Sequence, residues 1–295
     1  MLGNVIRGPR RAPRRVLLYG THGIGKSTWA SKAPSPIFLA TEDGLNDLGC
    51  DRTPVLKRLG DVNSWISDLL VQHHEYHTVV VDTLDWLERL IFNQVAAERE
   101  KKNIEEIGYG KGYGFALSHW DFLLNSFNHL RDRGIAVILL AHARIVKIEP
   151  PDADSYSRYE PDLHKSVSPF LQEWADEVLF ASYHIDTVQK EEGFDRTRTR
   201  AIGTGDRIVY TCERPTHLAK RRIFMPDILP LDFSAYAACL TASPAAAAPM
   251  VEPQSDAPEK ANGNGDGNIA GVVVDGSSKP SEGMFPTTPS SVNPF

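Results

Sequence analysis

The run Arg14-Arg15-Val16-Leu17-Leu18-Tyr19-Gly20-Thr21-His22-Gly23-Ile24-Gly25-Lys26-Ser27-Thr28 constrains this chain more than any other part of it. An apolar stretch leads straight into G-x-x-x-x-G-K-S, the spacing of a phosphate-binding loop, and that spacing carries meaning when a strand precedes it and a helix follows. Residues 16–19 read as a short buried strand and residues 26–32 as the opening of a helix. Gly20, Gly23 and Gly25 allow a tight turn that brings backbone N–H groups against a polyphosphate. Thr21, His22, Ile24 and Thr28 complete the loop's contact set. Lys26 is placed to reach the β- and γ-phosphates, the Ser27 hydroxyl to hold Mg2+, and the helix start adds partial positive charge.

A second half of such a site needs a carboxylate for the metal, at the end of a neighbouring apolar strand. Thr78-Val79-Val80-Val81-Asp82-Thr83 is the most β-prone run in the chain, and Asp82 closes it. An Asp there also reads as a helix cap, but with the phosphate loop upstream the metal role is the expectation. Phe38-Leu39-Ala40-Thr41-Glu42 ends another strand, expected beside the phosphate-loop strand. Glu42 then reads either as the group that orients or deprotonates water or as a solvated turn acid. Ile138-Leu139-Leu140-Ala141-His142 ends a third strand on the same side. His142 is placed to donate a hydrogen bond to the γ-phosphate, or is structural.

The order of elements gives the fold class. Strands are expected at 16–19, Pro36–Ala40, Thr78–Asp82, 135–141 and 177–182, and helices at 26–32, 62–73, 84–101, 115–133 and Val167–Trp174. That alternation argues for an α/β fold, a mostly parallel sheet with helices on both faces. Two β-type runs, 196–202 and 207–212, separated by Gly-Thr-Gly and Gly-Phe turns, are expected as appended antiparallel strands. The chain therefore divides into a basic N-terminal arm at 1–13, an ATPase domain at 14–240 and a tail at 241–295. The tail is rich in Ala, Pro, Ser, Gly and Asn, too poor in apolar surface to offset its ordering entropy, and is expected to be disordered. No apolar run reaches membrane-spanning length. Cys50, Cys212 and Cys239 form no metal or disulfide pattern, so a reducing cytosol is the expected compartment. The net charge of −6 argues against a uniformly basic nucleic-acid binder and leaves room for a local basic face.

Taken together, Lys26, Glu42, Asp82 and His142 make the chain resemble the RecA-like P-loop ATPases, over roughly residues 12–235. It is similar above all to the short phage proteins of the Sak-four type, which accompany single-strand annealing and recombination. Tyr109-Gly110-Lys111-Gly112-Tyr113, Trp174-Ala175-Asp176-Glu177-Val178 and Leu218-Ala219-Lys220-Arg221-Arg222 with Met225-Pro226 carry that narrower likeness. The resemblance implies ATP and Mg2+ as ligands, assembly of the chain with itself as a ring or filament, and single-stranded DNA as partner. It also implies that Lys220 and Arg222 act as a K-x-R finger on a neighbouring subunit's γ-phosphate; the alternative is a solvated basic strand end. The long polar segment 144–168, with Lys147, Tyr156, Arg158, Tyr159, His164 and Lys165, is the expected DNA-contacting loop, although Glu149, Asp152, Asp154, Glu160 and Asp162 lie in it too. Residues 109–113 are a second candidate, and the N-terminal arginines a phosphate-binding arm or a solvated tail. The ending Asn293-Pro294-Phe295 resembles the docking tip of single-strand-binding proteins, which makes such a protein a further possible partner. Three other classes stay open: a helicase loader of the AAA+ type, marked by a helical lid in 183–225; a small-molecule kinase; and a scaffold gated by nucleotide without turnover.

Overall fold

A strand with no polar alternation suits burial on both faces, the situation of an inner strand in a parallel sheet. The computed structural model describes residues 8, 12–152, 154–191 and 197–242, with the backbone alone at 185–191 and 197–204. In it β1 (Arg15–Gly20) is buried from Val16 onward and lies between two parallel neighbours, β5 (Ala136–Ile148) and β7 (Glu177–Glu191). Beyond β5 come β4 (Thr78–Asp82), β2 (Pro36–Ala40) and the short β3 (Asp51–Arg52), all parallel. Beyond β7, β8 (Thr197–Tyr210) and β9 (Ile228–Pro230) run antiparallel. The order is β3-β2-β4-β5-β1-β7-β8-β9, with β6 (Tyr156–Pro161) paired to the far half of β5.

Alternate residues of the inner strands feed two cores. Leu17 and Tyr19 join one, with α2 (Leu59–Val71), α3 (Leu84–Glu98), α4 (Lys111–Asp132) and α5 (Val167–Trp174). Val16 and Leu18 join the other, with α1 (Lys26–Ala30) and α6 (Phe233–Ala242). In α4 the buried Ala116, Trp120, Leu123, Phe127 and Leu130 recur at helical spacing and form its inward stripe. The architecture is the expected one, a RecA-like P-loop core of mostly parallel sheet flanked by helices. No helix among the described residues is long and apolar enough to cross a membrane.

Several boundaries differ from expectation. The strand expected to stop at 141 runs on to Ile148, because its far half pairs with β6 from Ala143↔Pro161 to Ile148↔Tyr156. The expected polar loop at 144–168 is thus largely a two-stranded ribbon followed by α5. Apart from Ala143 and Tyr159, which pack against the core, the ribbon has no continuous apolar face, so its sequence reads as loop. The described part of the two expected runs is one strand, Thr197–Tyr210: Gly203 lies within it, opposite Ile185, where the register shifts, and Gly205 takes φ +82°. A glycine in a strand marks such an irregularity as readily as a turn. Helix α4 begins at Lys111, with Gly110 at its N-cap in the left-handed region, so 109–113 is half helix. Thr241 and Ala242 close α6, whereas 243–295, most of the N-terminal arm and the Gly-Phe turn at 193–194 lie outside the described residues.

The amino ends of β1 and β7 are tied together by charge. Arg15 donates to the buried Asp176 (Nη2–Oδ1 3.0 Å) and to Asn128 (3.1 Å), which also accepts from the Trp174 indole at 3.0 Å. Arg14 pairs with the fully buried Glu177. Arg14 and Arg15 therefore brace the sheet. At the other end of β1, a methyl on Gly20 would collide with the Ala181 carbonyl oxygen of β7. Gly20→Ala is expected to destabilise the fold by about 1–3 kcal/mol, the usual cost of overpacking a tight interior. Urea unfolding measures it, and an unchanged midpoint would contradict this close approach.

Candidate active site

Parallel strands deliver their carboxyl ends to one rim, where open α/β sheets bind ligands. The loop 20–25 leaves β1 there, with Gly23 at φ +70° and Gly25 at φ +109°, conformations that favour glycine. Lys26 is buried, and its ammonium donates to the carbonyls of Gly20 and Thr21, each at 3.1 Å. Burial pulls its pKa down against the pull of Asp82, Asp85 and Glu42. The Ser27 hydroxyl donates to Asp82 Oδ2 at 2.6 Å. Burial also raises the Asp82 pKa, more than Ser27 and Lys26 lower it.

Asp82 is not on a strand adjacent to β1: β5 stands between them. Nor does the Glu42 strand neighbour the phosphate-loop strand, as expected; β2 pairs with β4 and β3. The link that matters is to Asp82. The Thr41 N–H donates to the Asp82 carbonyl (2.9 Å) and the Thr41 hydroxyl to the Thr83 carbonyl (2.8 Å), so Glu42 leaves the sheet beside the metal carboxylate. Glu42 is half-buried, and desolvation raises its pKa. Its carboxyl feels His142, Asp82, Asp85 and Lys26, so the structure brings the expected residues within one electrostatic neighbourhood.

His142 lies opposite Gly20 in the β1–β5 register and is buried. Its Nδ1 is 2.9 Å from Asp85 Oδ2, and its ring stacks on His22 of the phosphate loop with centroids 3.8 Å apart. Asp85 escaped the sequence reading. It opens α3, where an acid is an ordinary partner of the helix dipole, and nothing local shows that it faces His142. One turn on, Glu88 accepts the His164 backbone N–H (3.0 Å), and burial pushes its pKa up to about 7. Asp85 and Glu88 thus hold the two rails of the β5–β6 ribbon at its base.

Lys220 and Arg222 lie elsewhere. Lys220 bridges to Val178 near the amino end of β7, away from the phosphate loop. Its ammonium donates to the carbonyls of Gln172 (2.8 Å), Glu173 (3.1 Å) and Ala175 (2.8 Å), closing the last turn of α5. Arg222 is half-exposed and 3.3 Å from Asp176. Neither cation is near Lys26 of its own chain. In the ribbon, Arg158 pairs with Glu160 and with Glu213, and Lys147 with Glu149. Tyr159 packs on Phe180, and His164 stacks on Tyr113 at 3.9 Å. Tyr109 is fully exposed.

The residues at the rim fit a magnesium nucleotide. Ser27 and Asp82 supply hard oxygen donors close together, as Mg2+ requires. Lys26 and the N–H groups of a loop whose glycines leave room supply the phosphate contacts. A family model described as an AAA domain (AAA_24) matches residues 12–223. The SPbeta prophage-derived uncharacterized protein YorG of Bacillus subtilis (strain 168) is 27% identical over 216 residues, 64% of this chain and 60% of that protein, so the chain spans about three fifths of that relative. The flagellar accessory protein FlaH from Methanocaldococcus jannaschii aligns over 74% of this chain and 88% of its own at 13% identity and a TM-score of 0.34. Where an AAA+ lid was the alternative, residues 183–191 and 197–210 are strand. With its phosphate loop, the buried Asp82 and more than two-thirds of its length inside one family model, the chain belongs to the AAA domain family of P-loop ATPases.

Proposed function

We propose that this chain is an ATP-hydrolysing RecA-like protein that acts on single-stranded DNA in phage-type recombination or annealing. One observation carries the reading: β5 runs unbroken from His142, at the phosphate rim, into the exposed β5–β6 ribbon. A change in contact at the rim is thereby passed along a single strand to a surface element. The prophage origin printed for the Bacillus relative supports a phage setting.

In this reading Lys26 offsets charge developing on the transferred phosphoryl group, and Glu42 takes a proton from the attacking water. Ser27 and Asp82 hold Mg2+, which when bound neutralises phosphate charge. Arg222 is the cation presented to a neighbouring subunit in a ring or filament, because it sits away from its own phosphate loop and is half-exposed. Lys220 braces that segment against α5 rather than reaching a phosphate, since its ammonium already meets three carbonyls. The ribbon's cations are engaged, Arg158 with Glu160 and Glu213 and Lys147 with Glu149, which leaves the exposed Lys165 and Tyr109 outside it as the candidates for contact with a strand's phosphates and bases.

The test is phosphate release with and without single-stranded DNA, beside electron microscopy of the same mixture. Turnover is expected to rise several-fold with single strands, with rings or filaments in the images. Turnover indifferent to any DNA would remove the DNA partner and leave the ATPase.

A further inference from the structure

The contact between Asp85 and His142 fixes where the imidazole carries its hydrogen. Both carboxylate oxygens lie within reach of Nδ1, Oδ2 at 2.9 Å and Oδ1 at 3.1 Å, and Oδ1 is also 3.3 Å from the His142 backbone nitrogen. Burial would raise the Asp85 pKa, but the hydrogen bonds from the His142 ring and backbone hold it below the usual carboxylate range. An ionised carboxylate only accepts, so Nδ1 must donate. A neutral imidazole has one N–H, and Nε2 is left with a lone pair. A lone pair turned to a phosphate oxygen repels it.

The ring's surroundings hold this arrangement in balance. His22 of the phosphate loop, Glu42 after β2, Asp82 of β4 and Asp85 of α3 all interact with it electrostatically. Lys26 of α1 acts on the same cluster, Glu88 on Asp85, and the Asp162 backbone donates to the His142 carbonyl (2.8 Å). Three of these neighbours are carboxylates, and the fourth, the stacked His22, has its pKa pushed down, first of all by His142. An incoming phosphate adds negative charge at this rim and tips the balance.

We propose that Asp85 is the positioning residue that fixes His142 as the Nδ1–H tautomer, so that the ring donates to a terminal phosphate only after taking a proton from solvent at Nε2. ATP binding is thereby coupled to proton uptake. This rests on the reading of His142 as the residue that faces the phosphate. Asp85 does not touch the nucleotide; it sets the protonation chemistry of the group that does, as a buried carboxylate does for the histidine of a catalytic triad.

Two measurements on the full chain test it. The first is calorimetry of a non-hydrolysable magnesium–ATP analogue at pH 8, in buffers of different ionisation enthalpy. The wild type should take up about half to one proton more than H142Q, since a ring that already donates at Nδ1 must gain a proton to donate at Nε2 as well. D85N should lose that excess. The second is long-range 1H–15N NMR of the histidine rings without nucleotide, the His142 signals being those absent from H142Q. The wild type should show the Nδ1–H pattern and D85N a shift toward Nε2–H. Equal uptake by wild type and H142Q, or an Nε2–H ring in the wild type, overturns the proposal. Wild-type uptake in D85N removes Asp85 from it. Should D85N not fold, the wild-type tautomer and the H142Q comparison still decide. Failure of the underlying reading looks different: H142Q would then match the wild type in affinity and turnover.

Discussion

Lys26→Ala is expected to abolish ATP turnover while leaving the fold intact. The ammonium is buried at the rim, and its recorded acceptors are two carbonyls of its own loop. Those contacts tie down the loop, but the sheet does not depend on them. Asp82, Asp85 and Glu42 all lie in the field of this cation, so its removal takes a positive charge away from three carboxylates, at the place where phosphate charge must be stabilised. Loss of one preorganised donor in a water-poor site costs about 10²–10³-fold in rate. Phosphate release should fall at least that far, with a thermal midpoint close to that of the wild type. Turnover within a few-fold of the wild type would mean that the loop does not serve hydrolysis.

Glu42→Gln carries the second large effect and separates an ATPase from a scaffold. The substitution preserves shape and removes the base, so kcat should drop by about 10²–10⁴-fold, the range for a positioned general base, with KM little changed. The pH dependence gives a sharper check. Burial raises the Glu42 pKa, and a base works only when ionised, so wild-type turnover should fall as pH drops through that raised value. The variant should lose that acid limb. A kcat unchanged in the variant would favour nucleotide gating without catalysis by Glu42.

The sequence made the chemistry at Lys26, Ser27 and Asp82 legible because their roles follow from spacing along one strand–loop–helix unit and one strand end. Strand order was not legible in the same way. β1, β2, β4 and the near half of β5 are all short, apolar and buried on both faces, so nothing in their composition says which neighbours which. Glu42 was therefore assigned the right rim and the wrong adjacent strand. The ribbon was hidden because its pairing satisfies the backbone without a continuous apolar face. Asp85 and Lys220 were obscured for a third reason. Each makes its decisive contact with an element distant in sequence, His142 for one and the end of α5 for the other. Lys-x-Arg spacing cannot show that Lys220 meets three carbonyls and Arg222 the Asp176 carboxylate.

The way β1 is gripped has a mechanical consequence. Its amino end is pinned by Arg14 and Arg15, and its flanks are paired to β5 and β7. The Tyr19 hydroxyl both donates to the Leu218 carbonyl (2.6 Å) and accepts the Leu218 N–H (3.0 Å), while Gly20 is wedged against Ala181. The phosphate loop is thus bolted to the stiffest part of the molecule and serves as an anvil. Displacement on loss of a phosphate is then expected on the opposite jaw, in the Glu42 turn, and in the arm of the β5–β6 ribbon beyond Tyr159, whose backbone is tied to Thr216 and Leu218. At a rise of roughly 3.3 Å per residue, that arm carries a small tilt at its root to a swing at its tip many ångströms from the nucleotide.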